Sequence, residues 1–214
     1  MLTIWGRADA SNVQAVLWGV GELGLPYRRI DAGHRFGGLD TPDFKELNPN
    51  RTVPVIRDEG LPCLWESGAI LRYLARQYGP ASFWPADPAS QARVDQWAEW
   101  AKINVAMVFA NEVFAQIVRT PPSRRDQPRI DRGLQTLQDR FEIAEGQFQQ
   151  QDYLAGNNFT LADIPFGHIL YRYFMLPVER PPRPALDAYY ARLRERPAFA
   201  EHIMVSFEAL WEDD

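Results

Sequence analysis

The chain has 214 residues, 46% of them hydrophobic and 24% charged, and a formal net charge of −5. Those proportions suit a globular protein with a sizeable core, as one large domain or two small ones. The acidic balance and scattered cations argue against a nucleic-acid partner, and the single cysteine, Cys63, excludes a disulfide framework and a thiolate zinc site. The start, MLTIWGR, has no basic region followed by an apolar run, and no 18-residue apolar span is apparent. No signal peptide and no membrane partner are therefore expected, and a cytoplasmic location is the default.

In chain order, Leu2–Gly6 reads as a short strand. Ser11 with Gln14 three residues on is a capping-box start for a helix whose Val13, Val16, Leu17 and Val20 fall at helical spacing. Gly24 and Pro26 stop it. Tyr27–Ile30 is a second strand, and Ala32–Pro42 is a glycine-rich loop holding His34 and Arg35. Thr41 and Pro42 start a short helix to Leu47. Val53–Arg57 and Cys63–Trp65 follow as strands around a turn at Asp58-Glu59-Gly60, and Ser67–Gln77 as a helix. The order β-α-β-α-β-β-α fits one small α/β unit.

Residues 79–88 carry three prolines and a glycine and read as a linker. Strand signals then vanish. Asp87-Pro88 starts a long helix, about Ala89 to Arg119, ended by Pro121-Pro122. A second runs about Arg129–Gln150 with Ile130, Leu134, Leu137, Phe141, Ala144 and Phe148 on one face. Thr160-Leu161-Ala162-Asp163 is another capping box, opening a third helix. Short helices follow near Ala185–Glu195 and Phe199–Leu210.

The stretch Asn48–Ser67 carries the chemistry. Proline cannot donate to a sheet ladder, so Pro54 belongs at a strand mouth, a fair place for a cis peptide bond. That geometry would turn the Val53 N–H and C=O outward, toward an extended peptide. Glu66-Ser67 opens the next helix, where free N–H groups and the positive dipole end suit a carboxylate.

An α/β unit, a proline-rich linker and an all-α unit, with Asn48-Pro49, Val53-Pro54, the run Trp65-Glu66-Ser67-Gly68-Ala69-Ile70 and the Thr160–Asp163 box, resembles the cytosolic glutathione transferase family, on its theta-like bacterial side. The resemblance covers the whole chain. It implies a thioredoxin-like, glutathione-binding domain over residues 1–80 and an all-helical domain over 88–214 that lines the electrophile site. It implies glutathione as co-substrate without a metal, a small hydrophobic electrophile as the other substrate, and a homodimer. Val53 would pair with the cysteinyl backbone beside Pro54, Ser67 would take the γ-glutamyl carboxylate and Glu66 its ammonium. Thr52 and Arg51 sit where side chains touch the tripeptide. His34, Arg35, Arg51 and Lys45 are candidates for the glycine carboxylate.

Such enzymes work through a thiolate. Lowering a thiol from about 8.5 to about 6.5 takes roughly 2.7 kcal/mol. One hydrogen bond to charged sulfur supplies about 1.5–3 kcal/mol, and a helix amino terminus about 0.3–1 kcal/mol. The donor belongs where strand one meets the first helix, at Ala10-Ser11-Asn12. In the family's pattern, counted back from Val16, the serine position falls on Ala10, leaving Ser11 and Asn12 as catalytic candidates.

Ser11 also reads as a plain helix cap, and Cys63 as a small buried hydrophobe. His34, His168 and His202 lack ligand spacing. Trp97, Trp100, Phe109 and Phe114 read mostly as core, with one or two facing the electrophile. Alternative functions are a non-catalytic glutathione-transferase-like binding protein, or isomerase, dehalogenase or peroxidase chemistry on the same scaffold.

Overall fold

The computed structural model describes residues 1–214. Strands β1 (Leu2–Trp5), β2 (Tyr27–Ile30), β3 (Val55–Arg57) and β4 (Leu64–Trp65) form one sheet in the order β2-β1-β3-β4. β1 runs parallel to β2 and antiparallel to β3, and β4 pairs antiparallel with β3. Helices α1 (Ser11–Glu22), α2 (Pro42–Leu47) and α3 (Ser67–Tyr78) complete this thioredoxin-like unit. Beyond it there are helices only: α4 (Pro88–Trp100), α5 (Ala115–Val118), α6 (Gln127–Phe148), α7 (Asp163–Gly167), α8 (Leu170–Met175), α9 (Pro184–Arg194) and α10 (Pro197–His202).

Local chemistry explains the element ends. Thr41 caps α2 by accepting from the Phe44 N–H at 3.2 Å, and Asp87 caps α4 through the Ser90 N–H at 2.9 Å. β3 starts at Val55 rather than Val53, because Pro54 has no N–H to give the ladder. β4 starts at Leu64, and Cys63 is half-buried with its Sγ accepting from Arg57 Nε at 3.3 Å, which corrects its reading as a buried hydrophobe. Asp163 takes the Thr160 N–H at 2.8 Å, as a capping box requires, but the third helix comes in two pieces, α7 and α8. The last helix ends at His202 rather than running to Leu210. There the chain bends so that Phe207 packs 5.5 Å from Phe114, and Glu212 N–H reaches the Val118 carbonyl at 2.9 Å.

α4 continues into α5 through two π-helical stretches, Ala101–Ala106 and Phe109–Phe114, as one helix over Pro88–Val118. It is long and apolar enough to cross a membrane, which corrects the reading that no such span exists. Its Val94, Ala98, Ala101, Val105, Phe109, Val113 and Val118 are nevertheless buried in the molecule's own core.

α1 holds the two units together. Val13, Val16, Leu17 and Val20 pack with Ile4, Ile56, Ile70 and Leu74 under the sheet. Ala15 and Trp18 pack into the helical core instead, with Trp18 meeting Phe199 edge-on at 4.9 Å. An indole of roughly 200 Å² removed from water contributes about 5 kcal/mol before entropy. Arg196 on the helical side forks onto Glu22 at the end of α1, at 2.8 and 2.5 Å.

Candidate active site

The turn from β1 to α1 begins at Gly6, whose φ of +148° favours glycine. A Cβ there would lie 2.4 Å from Val13 Cγ2 and 3.2 Å from Val53 Cβ. This close approach sets α1 beside the loop before Pro54. The predicted Ser11–Gln14 capping box does not form. Ala10 occupies the cap position and makes no side-chain cap. Gln14 is buried, and its Oε1 accepts from Arg172 of α8 at 2.9 Å. The same guanidinium donates to the Asp9 carbonyl at 2.7 Å. A residue from the far half of the chain thus fixes the turn, and leaves the first N–H groups of α1 without a capping side chain.

On the opposite wall, buried Asn48 organises the loop. Its Nδ2 donates to Thr52 O at 2.9 Å and Thr52 Oγ1 at 3.1 Å, while its Oδ1 accepts from Asn50 N–H at 3.0 Å. The Val53-Pro54 bond is cis, and Val53 N–H and C=O take no part in the backbone hydrogen bonds. Thr52 is exposed, Val53 half-buried and Pro54 buried.

Glu66 stands at the entry to α3 with φ +68°, a conformation that costs a residue other than glycine roughly 1–3 kcal/mol and is found at functional sites. Ser67 is buried beside it. Its Oγ accepts from Lys102 Nζ at 3.1 Å and lies 3.4 Å from Asn12 Oδ1. Lys102 Nζ also donates to that Oδ1 at 2.6 Å. Lys102 belongs to the first π-helical stretch, four residues after buried Ala98 on the face turned toward α1 and α3. Nothing in its sequence surroundings singles it out. Desolvation lowers its pKa, against the pull of Glu66 and Glu99. Beneath it, His168 is buried and pushed down to about 3, first by burial and then by the Lys102 charge. Its Nδ1 lies 3.1 Å from the Ile164 carbonyl.

These groups surround two adjoining hollows. A cleft of about 450 Å³ is lined by Ser11, Asn12, His34, Arg51, Thr52 and Val53, and across from them by Phe109 and Phe114. A second, of about 260 Å³, takes in Glu66 and Lys102 and again Ser11 and Asn12. The tip of α1 is therefore common to both. Trp100 packs on Phe166 inside the helical core, with Trp97 against it. Of the cations proposed from sequence, His34 and Arg51 reach the cleft, Arg51 paired with Asp40 at 2.9 Å. Arg35 is held by Asp9 at 2.7 Å, and Lys45 lines neither hollow. No three side chains of His, Cys, Asp or Glu converge as a metal site.

Fold and site together define a two-unit protein in which a thioredoxin-like unit and a helical unit both line two adjoining hollows. Residues 11–77 match the model of the glutathione S-transferase N-terminal domain, and residues 105–197 that of the glutathione S-transferase C-terminal domain. The chain is 37% identical over 206 residues to glutathione S-transferase GstB of Escherichia coli, covering 96% of this chain and 99% of that one. It is 30% identical to glutathione S-transferase 3 of Zea mays, over 94% of this chain and 93% of that one. A theta class glutathione S-transferase from Xanthomonas axonopodis pv. citri, solved with glutathione bound, superposes with a TM-score of 0.90 at 45% identity, covering 96% and 98% of the two chains. The chain belongs to the glutathione S-transferase family.

Proposed function

We propose that this protein is a glutathione transferase that binds glutathione along the Val53 edge, activates it as a thiolate at the tip of α1, and presents it to an electrophile held against Phe109 and Phe114. The observation that carries this reading is the shared position of Ser11 and Asn12, which line both the Val53 cleft and the Glu66–Lys102 hollow. An extended tripeptide laid across the two would place its thiol there. Residues 1–80 would then hold glutathione and residues 88–214 the electrophile.

Val53 offers its free N–H and C=O to the cysteinyl backbone. Glu66 faces the γ-glutamyl ammonium, while Ser67 and Lys102 take its carboxylate. His34 and Arg51 meet the glycine carboxylate, with Thr52 alongside. Ser11 is the donor to sulfur: its hydroxyl has no partner in the protein, and it sits in the uncapped first turn of α1. Asn12 has its Oδ1 committed to Lys102 and so ties the sulfur position to the γ-glutamyl end. One charge-assisted hydrogen bond and the helix terminus together supply the roughly 2.7 kcal/mol that thiol activation requires.

A homodimer agrees with the family and with exposed Ile103 and Met107 beside the second hollow; light scattering tests it. A cytoplasmic location fits the same reading. Conjugation of glutathione to a chloronitroaromatic by the purified protein, followed by absorbance, tests the activity. A protein that neither retains glutathione nor forms the conjugate refutes it.

A further inference from the structure

The cleft has a charge pattern that binding of glutathione does not use up. Four arginines, Arg7, Arg51, Arg119 and Arg172, line it, and no carboxylate does, in a chain of net charge −5. Two are neutralised: Arg7 by Asp9 at 2.6 Å and Arg51 by Asp40 at 2.9 Å. The Asp9 carboxylate also carries Arg35. Arg172 is 2% exposed and donates only to uncharged oxygens, the Asp9 carbonyl and Gln14 Oε1, leaving its Nε without a partner. Arg119 is an exposed residue that makes no ion pair with any carboxylate, and partial burial of its guanidinium, then the Arg7 charge, lower its pKa. The two free guanidinium groups flank the same aromatic wall, with Cζ at 4.9 Å (Arg172) and 5.7 Å (Arg119) from the Phe114 ring centroid.

The crowding is felt electrostatically. Burial, and then the Arg119 and Arg7 charges, push Arg172 down to about 10. The Asp9 carboxylate, already shared by Arg7 and Arg35, pulls the other way without touching Arg172. A buried cation with no carboxylate in direct contact is costly, and an incoming anion relieves that cost. In the proposed function, both glutathione carboxylates are met elsewhere, at Ser67–Lys102 and at His34–Arg51. Arg119 and Arg172 lie instead on the helical side, at the end of the aromatic wall that receives the electrophile.

We infer that the second substrate is an electrophile bearing an anionic group, of the carboxylate class, which Arg119 pairs with directly and which the Arg172 charge attracts from below. This rests on the glutathione transferase reading and narrows it from any hydrophobic electrophile to an amphipathic one. The apolar body would lie on Phe109 and Phe114, and the anion would face the two arginines.

A matched pair of substrates tests it: 4-(chloromethyl)benzoate and its methyl ester. In each, the glutathione thiolate forms the S–C bond at the benzylic carbon, the C–Cl bond breaks, and chloride leaves with the electron pair. The readout is kcat/KM for each, divided by its uncatalysed rate. The inference predicts that the carboxylate is preferred by about tenfold or more. It predicts that Arg119→Gln lowers this preference about 10- to 100-fold, while Arg119→Lys retains most of it. Arg119 is exposed and unpaired, so its replacement leaves the fold in place. A preference for the ester, or one unmoved by Arg119→Gln, overturns the inference. So does an equal loss on both substrates with a raised thiol pKa, which would assign the arginines to the sulfur. Failure of the protein to conjugate either substrate or a chloronitroaromatic sinks the underlying reading instead, and is told apart by that third substrate.

Discussion

Lys102 Nζ lies 2.6 Å from the Oδ1 of Asn12, so a cation from the helical unit grips the tip of the first helix of the thioredoxin-like unit. The two residues are 90 positions apart. The contact turns the amide oxygen toward the lysine and joins Asn12, Lys102 and Ser67 in one network, which in the proposed function links the γ-glutamyl end to the sulfur position. Lys102→Met is therefore expected to raise the KM for glutathione about tenfold or more, through loss of a charge-assisted bond to its carboxylate. The change in kcat should be smaller. Initial-rate kinetics with varied glutathione check this; an unchanged KM would remove Lys102 from the site.

The strand mouth and the Glu66-Ser67 corner were legible in the sequence because proline and a helix start impose position by local rules. Lys102 was not, because a lysine on a long helix reads as a solvated residue and its partners Ser67 and Asn12 lie 35 and 90 positions away. The capping box at Ser11 failed for a similar reason: Arg172, 158 residues on, claims Gln14. The final helix was overdrawn because apolar spacing at Phe207 and Leu210 suits a bent chain packing on Phe114 as well as it suits a helix.

Gly6 couples the site to the fold. Gly6→Ala would force its Cβ to within 2.4 Å of Val13 and toward Val53, at a φ that alanine avoids. A loss of about 2–4 kcal/mol in stability is expected, with glutathione affinity falling alongside it. Denaturant unfolding and glutathione titration check the pair, and a variant with wild-type values for both contradicts it.

Asp163 is a folding residue rather than a catalytic one. Its carboxylate accepts from Thr160 N–H and Oγ–H, Leu154 N–H and the Tyr189 hydroxyl, at 2.8 to 3.3 Å, in full burial. Asp163→Ala leaves these donors unpaired and should lower stability by about 3 kcal/mol or more. The midpoint of urea unfolding measures it. A loss under about 1 kcal/mol would contradict this role.

His168 gives stability a pH dependence of known sign. Its ordinary value is 6.5 and its native value about 3, so between these the unfolded chain binds a proton that the native state refuses. Stability from this group is complete above pH 6.5 and drains away as pH falls, at up to about 1.4 kcal/mol per unit. Asp163, pushed up to about 6 by burial, works in the opposite direction between about 4 and 6, so the parent curve mixes the two. His168→Leu removes one contribution. Between pH 7 and pH 4 the variant should lose about 3 kcal/mol less than the parent. Parallel curves would contradict the assignment.

In the proposed function Ser11, in the uncapped first turn of α1, holds glutathione as a thiolate. Thiolate absorbance of the bound peptide, titrated against pH in the parent, in Ser11→Ala and in Asn12→Ala, tests it directly. A thiol pKa of about 6.5 is expected in the parent and one raised by about one unit or more in Ser11→Ala. Asn12→Ala should move it less and weaken glutathione binding more. A bound thiol that titrates near its free value of about 8.5 in the parent, or one that Ser11→Ala leaves unmoved, would contradict it.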